Sequence, residues 1–174
     1  MPDLAAVPCR DNENTLIRMM DEHGTAVKRL CFCLLNDPFL AEDAAQETFL
    51  KLYRTLDQFR GDCGEKTWIM KIAIRVCYDM NHSGWFRFMN RSVTPEMLPA
   101  QAASEDEKND AELAEAVMKL PFKLKEVILL YYYQGMNVNE IADALNISHS
   151  SVSGRLKRGK EKLKNMLEGR ELDE

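Results

Sequence analysis

Residues 137–162 read NVNEIADALNISHSSVSGRLKRGKEK, and this stretch decides the fold of the C-terminal third. Asn137 followed three positions later by Glu140 is a capping-box start, in which each side chain serves the other residue's backbone N–H. It predicts a short helix over Val138–Leu145. Asn146-Ile147-Ser148 then makes a tight turn, and Ser148 caps a final helix from His149 to about Leu167. Ile141, Ala142, Leu145, Ile147, Val152 and Leu156 are spaced to lock two short helices at a steep angle, with Ala142 small where the second helix approaches. Ser151, Ser153, Gly154, Arg155, Lys157 and Arg158 are then expected to face outward. A helix so placed fits a major groove, and the pattern is that of a helix-turn-helix. The plain alternative is a helical hairpin with a solvated basic face. Cap, turn, apolar spacing and basic helix all agree, which favours DNA contact.

Working outward, Pro121 opens a preceding helix that ends at Gly135, a residue suited to a left-handed cap. Upstream of it, residues 92–112 carry Pro95, Pro99 and the charged run SEDEKND, and read as a flexible linker. In the N-terminal part, Leu16, Met19, Met20, His23, Val27, Leu30 and Leu34 recur at helical spacing and predict a helix over Asn14–Leu35. Asp37 caps the next, with Pro38 at its first position, and Ala45, Phe49, Leu52, Tyr53 and Leu56 form its stripe. Asp43, Gln46 and Glu47 share another face of that helix. After a turn at Arg60–Gly64, Thr67 opens a third helix to about Met80. Ile69, Ile72, Ala73, Val76 and Met80 form its core face, and Trp68, Lys71, Arg75 and His82 lie on a different stripe. Strand signals are absent. The expected fold is all-α, with two small helical domains at 1–91 and 113–174.

Hydrophobic residues make up 45% of the 174, enough for packed cores, and no apolar run approaches the ~20 residues of a membrane span. The N-terminus lacks the basic start and apolar block of a signal peptide, so a cytoplasmic protein without membrane insertion is expected. The net charge of −5 is unevenly spread. Ser148–Lys164 is basic, with Glu161 its sole acid, while Glu96–Lys119 is acidic, and phosphates respond to the local field rather than the total. Cys9, Cys31, Cys33, Cys63 and Cys77 form no CxxC pair, and an odd count suits buried small hydrophobes better than disulfides or a metal site. No nucleophile–base pair, phosphate loop or metal set appears, so neither enzymatic activity nor a cofactor is expected.

Three segments together carry a resemblance: DPFLAEDAAQETFLKLYRTLDQFRG at 37–61, TWIMKIAIRVCYD at 67–79, and LPFKLKEVILLYYYQGMNVNEIADALNISHSSVSGRLKRGKEKL at 120–163. Their order and content resemble the extracytoplasmic-function sigma factors, small two-domain subunits of RNA polymerase. The resemblance implies a sigma-2 domain, a variable linker and a sigma-4 domain. It implies that Asp43, Gln46 and Glu47 dock on core polymerase. It implies that Trp68, Lys71 and Arg75 act on the −10 promoter element, and that the turn with Arg60 and Asp62 captures an extruded base, whose unstacking costs a few kcal/mol. It implies that Ser148, His149, Ser150, Ser151, Ser153, Arg155, Lys157 and Arg158 meet the −35 element. An anti-sigma factor, which in this family can be membrane-bound, is the further partner.

The chain departs from the family pattern at several places. Met70 and Arg75 stand where Tyr and Asn are frequent, the basic run after the third helix is thin, and Ser153-Gly154 replaces a usual Lys-Ser pair. These departures bear on which promoter is read. Two other classes compete. A sigma-like decoy for an anti-sigma factor would carry a receiver domain and a degenerate DNA-binding half. A plain helix-turn-helix repressor would not need the Asp43–Glu47 face. An anti-sigma factor itself would carry a zinc-type H-x3-C-x2-C motif, which is missing.

Overall fold

The computed structural model of the chain describes the backbone of residues 9–83 and 105–169 and the side chains of 11–83 and 111–169. Every regular element among them is helical. The N-terminal unit holds α1 (Cys9–Leu35), α2 (Pro38–Thr55) and α3 (Glu65–His82), with a short 3₁₀ turn at Leu56–Gln58. Asn36, at φ 56°, reverses the chain after α1, and the Asp37 carboxylate accepts from the N–H groups of Phe39 (2.9 Å) and Leu40 (3.0 Å) to start α2. Val27, Leu30, Leu34, Ala45, Leu52, Ile69, Ala73 and Val76 meet in the core between the three helices. Fully burying an aliphatic side chain of this kind contributes about 1.5–3 kcal/mol relative to leaving it exposed. Thr48 is buried without penalty because its hydroxyl donates to the Ala44 carbonyl at 2.7 Å.

Several expectations are corrected here. Helix α1 begins at Cys9 rather than Asn14, and α3 begins at Glu65, capped by Gly64, rather than at Thr67. Met20 and Tyr53 are exposed, at the edges of their apolar stripes, because only one face of each helix meets the core. The segment expected as a linker to residue 112 is helical from Glu105, where α4 (Glu105–Lys119) starts. Its Glu, Lys and Ala content has high intrinsic helix propensity, and acidic residues in a first turn suit the helix dipole. The remainder of the expected linker lies outside the described residues, as do residues 1–8 of the segment considered for a signal peptide.

The C-terminal unit adds α5 (Phe122–Ile128), α6 (Val138–Leu145) and α7 (His149–Leu167). Helix α5 widens into a π-helical turn at Leu129–Tyr133, which periodicity did not reveal. It closes at Gly135, φ 67°, where the Met136 N–H reaches back to the Leu130 carbonyl at 3.0 Å. The capping box is complete: Glu140 N–H donates to Asn137 Oδ1 (3.0 Å) and Asn137 N–H to Glu140 Oε2 (2.8 Å). Asn146 ends α6 in the left-handed region at φ 52°, and Ser148 Oγ accepts from the Ser151 N–H at 3.2 Å to open α7.

Val152, Leu156, Gly159 and Leu163 form the buried stripe of α7. Gly159 is the close-approach point: a Cβ there would lie 2.9 Å from Ile128 Cγ1 and 3.1 Å from Cδ1. Gly154, by contrast, has open space where its Cβ would go. The two glycines should therefore respond oppositely to alanine. Gly154→Ala should stabilise by about 0.5–1 kcal/mol through helix propensity. Gly159→Ala should destabilise by about 1–2 kcal/mol, because overpacking against the buried Ile128 outweighs the propensity gain. Urea unfolding of the two variants measures this, and shifts of the same sign would contradict the packing described.

The two units touch. Helix α6 packs on α3, and α4 and α5 reach α1. Asn36 Nδ2 donates to the Met118 carbonyl (3.1 Å), Lys125 Nζ to Asn36 Oδ1 (3.3 Å), and Lys66 Nζ to the Gln134 carbonyl (2.5 Å). Lys125 is 4% exposed, and burial pulls its ammonium down to about 8 despite the neighbouring Cys33 thiol.

Candidate nucleic-acid interface and docking face

Three surfaces carry the residues singled out by sequence. The first is the face of α2. Asp43 and Gln46 are exposed and Glu47 is half-buried at its edge, 4.0 Å from Lys51. Residues three and four apart in a helix are neighbours, so the three form one acidic and amide patch.

The second surface is α3 with the turn before it. Arg60 and Asp62 are exposed on a loop turned by Gly61 at φ 75°. Lys71 and Arg75 are exposed one turn apart, and Arg75 sits 3.5 Å from Asp79. Trp68 is half-buried and stacks on Phe59, with ring centroids 4.5 Å apart. It thus has both a packing role and an open edge. Tyr78 extends the same stripe and was missed by sequence reading. It lies one turn past Arg75, and His82 stacks over its ring at 3.9 Å.

The third surface is α7. Ser153, Lys157 and Arg158 are exposed on one side of the helix, and His149 and Ser150 are exposed at its start. Ser148, Ser150 and Ser151 are tied together, with hydroxyl separations of 3.0 and 2.8 Å around the Ser148 cap. Arg155 corrects the expectation of an outward side chain. It turns inward, its Nη1 2.7 Å from Glu126 Oε1, with side-chain exposures of 18% and 7%. The reason is geometric: position 155 is three residues after Val152 and four before Gly159, so it borders the buried stripe. Burial pushes the Glu126 carboxyl up to about 7, opposed by Arg155 and Lys123. Glu126, embedded in the apolar run KEVILL, was not singled out from sequence. A carboxylate in such a run is a signal for a buried partner.

Cys31 and Cys77 are buried, with the Cys31 thiol as hydrogen-bond partner and burial both holding Cys77 far above the usual thiol range. Cys33 and Cys63 are half-buried, and the Cys9 side chain lies outside the described residues. Among the described residues, the group nearest to a metal-ligand set is Glu22, His23 and Glu65. Arg18 already engages it, with Nη2 2.7 Å from Glu65 Oε1 and Nη1 3.0 Å from Glu22 Oε2. No described helix is long and apolar enough to cross a membrane.

The segments that carry these surfaces match known protein families. Residues 19–86 match Sigma-70 region 2, and residues 110–163 match Sigma-70, region 4. The first match spans α2 and α3, and the second spans the helix-turn-helix. The chain belongs to the extracytoplasmic-function branch of the sigma-70 family. It is similar to the ECF RNA polymerase sigma factor SigW of Bacillus subtilis, 26% identical over 172 residues and 91% of each chain. It is likewise similar to the RNA polymerase sigma-H factor of Pseudomonas aeruginosa, 28% identical over 148 residues, covering 77% of this chain and 76% of that one. Among solved structures, the sigma factor RpoE of Bartonella quintana, in complex with the anti-sigma factor NepR, superposes with a TM-score of 0.70 at 22% identity over 95% of this chain and 99% of its own. CnrH, in complex with the cytosolic domain of CnrY, gives 0.68 at 23% identity over 91% of each. These superpositions establish the shared all-helical sigma fold.

Proposed function

We propose that this sigma factor directs core RNA polymerase to promoters by using the three surfaces in concert. The observation that carries this reading is the side of α7 that presents Ser153, Lys157 and Arg158, set outward by the completed caps of the helix-turn-helix. A helix anchored in this way suits the −35 major groove, with His149 and Ser150 nearest its entering end and the two cations on phosphates. Arg155 is better suited to hold α7 in place than to read a base. Trp68, Lys71, Arg75 and Tyr78, with Arg60 and Asp62 on the adjacent loop, fit a single-stranded −10 element. Cations there track the backbone, and ring faces receive unstacked bases. Asp43, Gln46 and Glu47 supply the contact with core polymerase. The protein so described is an initiation subunit with no covalent chemistry of its own. The two solved relatives are held by anti-sigma partners, and we extend that mode of control to this chain.

The test is transcription by reconstituted holoenzyme from a promoter library. Enrichment of one paired −35 and −10 sequence is expected, and indiscriminate or absent initiation would refute the reading. Within it, Asp43→Ala combined with Glu47→Ala should weaken core-polymerase binding about tenfold or more, equivalent to about 1.4 kcal/mol. Stability should change by no more than about 0.5 kcal/mol, as expected for surface positions outside the core. Unchanged affinity with normal circular dichroism would remove α2 from the docking face.

A further inference from the structure

The contact between the two units leaves a cleft of about 770 Å³ between α2–α3 on one side and the α5–α7 unit on the other. Lys51, Arg54, Lys71 and Arg75 line the first wall, and Lys123 and Arg155 the second. The sole carboxylate among the lining residues is Glu126, and it already engages Arg155. Among the described residues, Lys51 and Arg75 pair only with their helical neighbours Glu47, at 4.0 Å, and Asp79, at 3.5 Å. Arg54, Lys71 and Lys123 make no ion pair among the described residues. In a chain whose net charge is −5, a cleft lined by six cations and a single carboxylate, Glu126, on which both Arg155 and Lys123 act, is a marked local reversal. Like charges facing one another across a shared cleft repel, so the arrangement of the two units calls for an anion between them. The volume lies in the range of small-molecule sites rather than that of a duplex. Trp68, Ile72, Tyr78 and Ile147 add an apolar wall.

We propose that this cleft binds a compact polyphosphate, gripped by Arg54 and Lys71 from the N-terminal unit and Lys123 from the C-terminal unit. Guanidinium and ammonium groups on two walls match the oxygens of a linear phosphate chain, with Arg54 as the forked donor and the lysines as point charges. Inorganic polyphosphate and the phosphate tail of a nucleotide present the same chemistry. A nucleotide would in addition set its base against the apolar wall. Because Trp68, Lys71, Arg75 and Tyr78 also belong to the surface assigned above to the −10 element, the ligand and promoter DNA would compete for them. The site itself does not depend on that assignment.

The test is calorimetric titration of the full chain with tripolyphosphate, and separately with adenosine triphosphate, at about 0.15 M salt, where surface attraction is largely screened. One saturable site is expected. Arg54→Ala and Lys123→Ala, on opposite walls, should each weaken it about tenfold, while Lys160→Ala, a cation outside the cleft, leaves it unchanged. Tighter binding of the nucleotide than of tripolyphosphate would assign the ligand to the nucleotide class, and equal binding to the phosphate chain alone. Circular dichroism establishes that the exposed-residue variants fold. Absence of saturable binding to either probe would overturn the proposal. So would equal weakening by Lys160→Ala, an effect confined to one wall, or equally tight binding of a poly-glutamate peptide. Loss of polymerase docking or promoter selection in other variants would leave this result unaffected.

Discussion

Arg155→Ala is expected to destabilise the folded chain by about 3 kcal/mol at pH 8, near the lower end of what removing one partner from a buried ion pair costs. Glu126 is 7% exposed and would be left as a buried carboxylate with only Lys123, three residues earlier on α5, as a cationic neighbour among the described residues. The lower end applies because Arg155 itself is 18% exposed and water reaches it. The loss should depend on pH. Burial already raises the folded-state value of Glu126 to about 7, above the ordinary value of about 4.5. A carboxyl raised in this way favours the folded state most below its unfolded value, and that contribution fades as pH rises through the folded value. Without Arg155 the carboxyl rises further, so the variant should approach the parent near pH 5 and fall away above pH 7. Urea unfolding at pH 5 and pH 8 measures this. An equal difference at both values would mean that Glu126 is not what Arg155 supports. The same variant should weaken matched and scrambled DNA alike, because Arg155 acts through the position of α7.

Lys157→Ala combined with Arg158→Ala is expected to have the largest effect on DNA. Both side chains are exposed on α7, and among the described residues Arg158 Nε donates to the Gly154 carbonyl at 3.3 Å. Losing two phosphate contacts should flatten the slope of log affinity against log salt by about 1.8, at about 0.9 per phosphate. At moderate salt the loss should be about 2–4 kcal/mol, taking about 1–2 kcal/mol for each charge-assisted contact. Titration of the holoenzyme on matched and scrambled −35 sequences at several salt concentrations reads both quantities. An unchanged slope would take this face of α7 out of contact with the phosphates. Folding should be unaffected, which separates this variant from Arg155→Ala.

Much of the molecule was legible locally. Asp37 with Pro38, Asn137 with Glu140, and Ser148 are side chains that satisfy backbone N–H groups within three residues, so their meaning is complete in the sequence. Helices α6 and α7 accordingly start where those residues dictate. The Asp43–Glu47 face and the stripe of Lys71 and Arg75 were readable for the same reason, since a helix fixes which residues three and four apart share a side.

What sequence did not yield depends on partners far along the chain. Gly154 and Gly159 look alike in SGRLKRGK, yet only Gly159 faces Ile128, and only the packing of α7 on α5 shows it. Arg155 stands between outward Ser153 and Lys157, and its partner Glu126 lies 29 residues earlier. The helical start at Glu105 stood against a linker reading that weighed charge above propensity. The sequence by itself determined the helical class and the caps at Asp37, Asn137 and Ser148, because these rest on interactions within a turn or two, and its motifs carried the family resemblance. Only the tertiary structure decided which cation is committed inside, which glycine is a packing necessity, and that cations from both units converge on one cleft. Burial and electrostatic neighbours are properties of space, and residues distant in sequence set them.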